Sequence, residues 1–321
     1  MSKGKLSVVF IGTPEFSCPS LEKLAEKEKV VAVVTQPDKP RGRGKKISPP
    51  PVKVKALQKN IPVYQPDNLN KLCFLEKIEK LRPDLIVVVA FGKILPGKLL
   101  NIPKFFPINL HPSLLPKYRG PAPVPWAIIK GEKYTGITVQ KMTEKVDEGE
   151  IILQKKVLIA ANDTSDSLSK KLSHIGAEAL IEAIDLIKKG KIDLRPQVGK
   201  ASYAPKIKKD MGKINWEKSA WEIHNLVRGL NSFPGAFTEF FYRERFYPLK
   251  IWETEILENF SNNKKGMPGS VVKIIKDRGF IVKTGKGYLL VKKVQLPGKS
   301  KIDAYDFIKG YHVKEGFTLG G

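Results

Sequence analysis

Pro107-Ile108-Asn109-Leu110-His111-Pro112-Ser113-Leu114-Leu115-Pro116-Lys117-Tyr118-Arg119-Gly120 opens as a buried strand and breaks at Pro112 into a loop. Successive side chains of a strand point to opposite faces, so Asn109 and His111 share one side and Ile108 and Leu110 the other. The polar pair stands at the carboxyl end of its strand. That is where open α/β sheets bind and transform ligands. Alone, an Asn-x-His pattern more often describes a strand with one polar face, and its surroundings must decide between the two.

Upstream, Leu85-Ile86-Val87-Val88-Val89-Ala90 is the most hydrophobic run of the chain. A continuous β-branched run marks a central parallel strand covered on both faces. Its carboxyl end, residues 91–96, is a second loop on the same rim. Residues 6–11 read as a first strand, 12–16 as a turn, 19–27 as a helix and 30–34 as a second strand. Helices are expected near 52–58 and 69–81, with a short strand at 61–64. The pattern predicts a doubly wound, mostly parallel, Rossmann-like sheet. Only Gly12 of a G-x-G-x-x-G fingerprint is present, which argues against a nicotinamide cofactor.

Downstream, residues 136–142 alternate as a strand and 151–157 return as another. Asp147 lies in the loop between them, either as a turn residue or as a third polar group on the rim. An amphipathic helix follows from Asp163 or Thr164 to about Lys189, interrupted near Gly176. Residues 191–208 are polar and irregular. The expected division is a first domain at 1–190, a linker at 191–208 and a second domain at 209–321. In the second, a helix at 219–230 precedes short strands at 236–241, 250–255, 269–274, 279–284 and 288–294. Short strands separated by glycine turns predict a small, OB-like β-barrel.

The chain has 321 residues, a formal net charge of +25 and a pI near 9.8. Nucleic acids are natural partners for such a field, and a Lys-rich surface serving solubility or heat tolerance is the other reading. The stretch at 36–51 concentrates five basic residues against one acid among glycines and prolines. It reads as a long loop, either functional or simply solvated. Glycines there would let a backbone approach a ligand, and arginine makes bidentate phosphate contacts. No apolar run is long enough to span a bilayer, and no signal peptide is legible. Cys18 and Cys73 lie far apart with no metal or redox spacing, which fits a reducing cytoplasm.

If Asn109, His111 and Asp147 converge, they include no Ser or Cys nucleophile and no metal-ligand spacing. An amide and a protonated imidazole can hold a developing oxyanion. A nearby carboxylate favours the charged imidazole and can accept a proton, directly or through water. The set suits direct acyl transfer between two bound substrates.

Residues 109–116 with Arg119-Gly120, followed by Asp147-Glu148-Gly149, resemble the formyltetrahydrofolate-dependent formyltransferase family. The opening at 10–16, the basic stretch at 36–46 and Ser202-Tyr203-Ala204-Pro205-Lys206 extend the resemblance over nearly the whole chain. Pro112 departs from the small residue common there, without disturbing the three polar positions. The resemblance implies that formyl passes from 10-formyltetrahydrofolate to the amino group of initiator methionyl-tRNA. It implies that Asn109 and His111 hold the formyl oxygen and that Asp147 keeps His111 charged and shuttles the amine proton. Ser113, Leu114, Leu115 and Pro116 would line the folate site, with Phe91, Lys93 and Leu95 beside the pterin. Arg41, Arg43, Lys45 and Lys46 would enter the acceptor end of the tRNA, and the basic barrel would track its backbone. A monomer needing neither metal nor NAD is expected. A formyltransferase acting on a sugar nucleotide, a folate hydrolase, and a non-catalytic RNA-binding protein on the same scaffold are the alternatives.

Overall fold

The computed structural model describes residues 4–41, 46–260 and 266–320. By chain contacts it divides into two compact units. One comprises the chain up to Pro123, Tyr134–Leu158 and Leu168–Pro205. The other comprises Val124–Lys133, Ile159–Ser167 and the chain from Lys206 onward.

The first unit opens with β1 (Ser7–Gly12), α1 (Cys18–Lys27), β2 (Lys29–Val34), β3 (Lys39–Arg41) and β4 (Lys46–Ser48). Then come α2 (Pro51–Gln58), β5 (Val63–Tyr64), α3 (Leu72–Lys80), β6 (Leu85–Val89), α4 (Gly97–Leu100) and β7 (Pro107–His111). Helix α5 (Pro123–Ile129), which from Val124 belongs to the second unit, precedes β8 (Tyr134–Lys141), β9 (Ile151–Leu158) and α6 (Ser165–Lys189), whose residues from Leu168 onward belong to the first. The sheet order is β5-β2-β1-β6-β7-β8-β9. Strands β5 through β7 run parallel, and β8 and β9 are antiparallel additions at one edge. β6 is buried along its whole length, as its unbroken apolar run requires. Val9, Ile11, Ile86 and Val88 pack on one face with Phe74 and Ile78 of α3.

Two local expectations are corrected. The helix expected to break near Gly176 runs through it, because Gly176 is where α6 meets the sheet. A Cβ there would sit 3.0 Å from Leu110 Cδ1 and 3.4 Å from Ile137 Cδ1, so the missing side chain permits close approach. The basic stretch at 36–51 is not wholly loop. Its ends return on each other as β3 and β4, with Lys39 opposite Ser48 and Arg41 opposite Lys46. Backbone groups thus pair across the stem instead of being left to water. Asp38 anchors its base, taking hydrogen bonds from Gln65 at 2.7 Å and Lys53 at 2.8 Å. Arg43 and Lys45 lie outside the described residues, as do the side chains of Arg41 and Lys46.

The second unit contains α7 (Ala220–Gly229), β10 (Ala236–Tyr242), β11 (Arg245–Ile256), β12 (Val271–Ile275), β13 (Gly279–Lys283), β14 (Tyr288–Gln295), β15 (Ile302–Asp303) and α8 (Ala304–Tyr311). Five strands form an antiparallel path β10-β11-β14-β13-β12, and β15 adds to β14. Their inward residues, among them Phe240, Leu249, Val271, Phe280 and Val291, share a core with Ile223 and Val227 of α7 and Phe307 of α8. Ser219 caps α7 with a reciprocal Glu222 box. β11 is longer than expected and begins at Arg245, so β10 and β11 are joined by a two-residue turn. Among the described residues no helix is long and apolar enough to cross a membrane.

Candidate active site

The polar face of β7 lies against β8, whose register places Gln140 opposite Asn109 and Thr138 opposite His111. Antiparallel partners project from the same face, so Gln140 joins the polar pair. After β8 the chain loops back to β9 and carries Asp147 over that face. Asp147 occupies the left-handed region, φ 54°, uncommon for a residue with a side chain. Gly149 makes the return possible: a Cβ there would lie 1.7 Å from the Lys141 carbonyl oxygen.

The Asp147 carboxylate is the hub. Oδ1 accepts from Gln140 Nε2 at 3.0 Å and from Asn109 Nδ2 at 3.3 Å. Oδ2 accepts the Gly120 backbone N–H at 2.8 Å. His111 Nδ1 stands 3.5 Å from Oδ1, with both side chains largely buried. On its other edge, His111 Nε2 donates to the Tyr118 carbonyl at 2.9 Å. Both ring nitrogens therefore face oxygen acceptors. The short Nε2 bond anchors the ring. The longer Nδ1 distance leaves that nitrogen as the one able to turn toward another oxygen.

Residues 195–205, irregular in sequence, hold this arrangement from outside. Arg195 exchanges backbone hydrogen bonds with Ile151, and Arg119 with Ser202 and Ala204. Ser202 Oγ accepts from the Tyr118 N–H at 2.9 Å. Gln197 Nε2 donates to the Asp147 and Gly149 carbonyls at 2.8 and 2.9 Å. Gln197 Oε1 in turn accepts from Arg119 Nη2 at 2.8 Å. Arg119 also pairs with Glu148 at 3.1 Å. One amide thus ties the loop bearing Asp147 to the loop bearing Gly120.

These residues open on a cavity of about 620 Å³ walled by Asn109, His111, Asp147 and Gln140 and by Phe91, Lys93, Ile94, Leu95 and Val146. The wall is mostly apolar with a few convergent polar groups, as small-molecule sites usually are. Of the residues expected around the folate, Phe91, Lys93 and Leu95 line this cavity, and Ser113, Leu114, Leu115 and Pro116 are not among its lining residues. Ser113 is fully buried and donates to the Lys117 carbonyl. Leu115 N–H is held by Thr138 Oγ1 at 3.2 Å, and the Leu114 side chain packs over Gly136. The loop after Pro112 turns inward because Thr138, directly across from His111, also donates to the Ser113 carbonyl at 2.7 Å. Gln140 and Gln197 are absent from the expected site. Gln140 is found only from strand register, and Gln197 carries no local signal.

Two family models match the chain: the formyl transferase model over residues 5–184, and the formyl transferase C-terminal domain over residues 206–312. The chain is 47% identical over 317 residues to a methionyl-tRNA formyltransferase of Thermodesulfovibrio yellowstonii, covering 98% of each chain. It is 45% identical to one of Acetivibrio thermocellus, covering 98% of this chain and all of that one. Among solved structures, an N-formyltransferase of Helicobacter canadensis, in complex with folinic acid and dTDP-3-aminofucose, shares the fold. Its TM-score is 0.66 at 21% identity, over 89% of this chain and 98% of that one. HypX of Aquifex aeolicus with tetrahydrofolic acid aligns with TM-score 0.64 at 19% identity, over 96% of this chain and 48% of that one. The buried carboxylate, amide and imidazole on the sheet rim thus belong to an enzyme that moves formyl groups, and the chain belongs to the formyl transferase family.

Proposed function

We propose that this protein transfers the formyl group of 10-formyltetrahydrofolate to the α-amino group of initiator methionyl-tRNA, in the cytoplasm and as a monomer. The observation that carries the reading is the convergence of Asn109, His111 and Asp147 on one apolar-walled cavity. The near full-length likeness to methionyl-tRNA formyltransferases supports the acceptor. The folate supplies a formyl carbon activated by its nitrogen leaving group. Phe91 and Leu95 supply buried apolar lining for its ring system, and Ile94 and Val146 supply exposed apolar lining.

Attack by the amine places charge on the formyl oxygen. Asn109 Nδ2 and His111 Nδ1 donate to that oxygen, and a low-dielectric site makes such donors effective. The Tyr118 carbonyl orients the imidazole at Nε2, and Asp147 faces its Nδ1 edge. As the new C–N bond forms, the amine proton passes to Asp147 directly or through water. Breaking the old C–N bond then releases the folate nitrogen, which takes up a proton. Gln140 and the Gly120 N–H hold Asp147 throughout. We assign catalysis to residues 1–190, the link to 191–208, and contact with the tRNA backbone to 209–321 together with Arg41, Arg43, Lys45 and Lys46. The basic surface favours this acceptor over a sugar nucleotide, which needs no wide positive field.

The test is formyl transfer by purified protein from 10-formyltetrahydrofolate to charged initiator tRNA, with a dTDP-amino sugar as rival acceptor. Formylated methionyl-tRNA is the expected product. Turnover of the sugar alone would replace this reading, and turnover of neither would remove it.

A further inference from the structure

The β10–β11 ribbon carries an aromatic pair that the formyl-transfer site does not use. Phe241 lies opposite Phe246, and Tyr242 opposite Arg245. Alternation turns Phe240 into the core at 1% exposure and its neighbour Phe241 outward at 48%. Phe246 is 60% exposed. The two outward rings have centroids 5.0 Å apart, tilted by 53°, and make one apolar platform at the end of the ribbon.

The turn that closes the ribbon is Arg243-Glu244, with φ values of 47° and 62°. Two-residue turns of this left-handed kind ordinarily take Asn-Gly. Here an arginine holds the first position and carries a guanidinium to the tip, 5.3 Å from the Tyr242 ring centroid. Arg245 beside it is exposed. Two acids lie nearby: Glu244 at the tip, and Glu239, which is paired with Lys213 at 3.0 Å. Exposed phenyl rings flanked by guanidinium groups match one chemistry closely. The π-face of an unpaired nucleobase stacks on a ring, and its phosphate meets an arginine. A paired duplex hides its base faces and cannot use the rings.

We propose that Phe241 and Phe246, with Arg243 and Arg245, bind unpaired nucleotides of an RNA partner by base stacking. The proposal rests on the reading of an RNA acceptor and adds where and how unpaired bases are held.

The test uses the full chain, without folate, against a labelled RNA hairpin with a single-stranded tail and the same hairpin without one. A 2-aminopurine in the tail reports stacking. The wild-type protein is expected to bind the tailed RNA roughly tenfold more tightly and to quench the 2-aminopurine. The double variant F241A/F246A should lose that preference, weakening tailed binding by roughly tenfold while unfolding at an unchanged temperature. F241L/F246L, apolar but without π-faces, should not restore quenching, whereas F241Y/F246Y should. Equal binding of both RNAs by wild type, or an unaltered tail preference in the alanine variant, overturns the platform. So does a variant that loses only self-association, which would make these rings a contact between copies. A protein that binds tails but formylates no aminoacyl-tRNA keeps the platform and loses the proposed reaction. An active protein indifferent to tails loses the platform alone.

Discussion

The rim of the first unit and the ribbon of the second handle charge in opposite ways. At the rim, Asp147 and His111 are largely buried and each of their polar atoms faces a protein partner. On the ribbon, Arg243 and Arg245 stand in water beside exposed rings. A buried charge survives only when its hydrogen bonds are supplied in advance, so the rim is built to hold one geometry. Exposed cations contribute little to stability, yet they set affinity and encounter with a polyanion. The first arrangement suits chemistry on a small group, and the second suits recognition of a large partner.

The sharpest way to break this contrast is His111→Ala. It should lower kcat by on the order of a hundredfold or more while leaving the Kd for tRNA within about twofold. A large loss of tRNA affinity instead would mean the rim also serves recognition. Salt should act on the other side only. Raising ionic strength from about 50 to 200 mM should weaken tRNA binding by at least tenfold, while single-turnover formylation of saturating tRNA stays nearly constant. Equal sensitivity of both would erase the distinction.

Gln197→Ala probes whether the rim depends on preorganisation. It removes the amide joining the Asp147 and Gly149 carbonyls to Arg119, so kcat should fall by about tenfold with tRNA affinity unmoved. Gln197→Glu should fare no better, because a carboxylate cannot donate to those carbonyls. The smallest effect concerns His224 in the second unit, hydrogen-bonded to Thr254 at 2.9 Å. Burial, reinforced by the Arg228 charge, pushes its pKa down to about 4, against a partial opposing pull from the Ala161 backbone. The folded state favours the neutral ring. Its contribution is fully present above pH 6.5 and is lost as pH falls from there to about 4. Discounted for partial exposure, this amounts to about 2 kcal/mol at most. Urea midpoints between pH 7 and 4 should therefore fall less steeply in His224→Asn than in the wild type.

Much of the fold was legible because it rests on local pattern. The unbroken run at 85–90 and the alternation at 107–111 each name a strand and its burial, and the short runs after 236 name an antiparallel unit. Gly176 misleads because its role is to admit Leu110 and Ile137, neither of them near in sequence. The conformation of the loop at 113–116 is set by Thr138 on another strand, which bonds the Leu115 N–H and the Ser113 carbonyl, and no local pattern announces that. Helix α8 escapes strand alternation altogether, and its place follows from Phe307 meeting the core.

The sequence by itself determined the chemistry available: an amide and an imidazole two residues apart on one strand face, a carboxylate within reach, and a basic surface. Strand periodicity is a property of the backbone and needs no partner to be read. Only the tertiary structure decided that Asp147 would be the hub, that Gln140 would join it and that Gln197 would brace it. Those facts depend on register between β7 and β8 and on residues 195–205 returning to Ile151 and Arg119. Such contacts join residues far apart in the chain, and no local propensity encodes them.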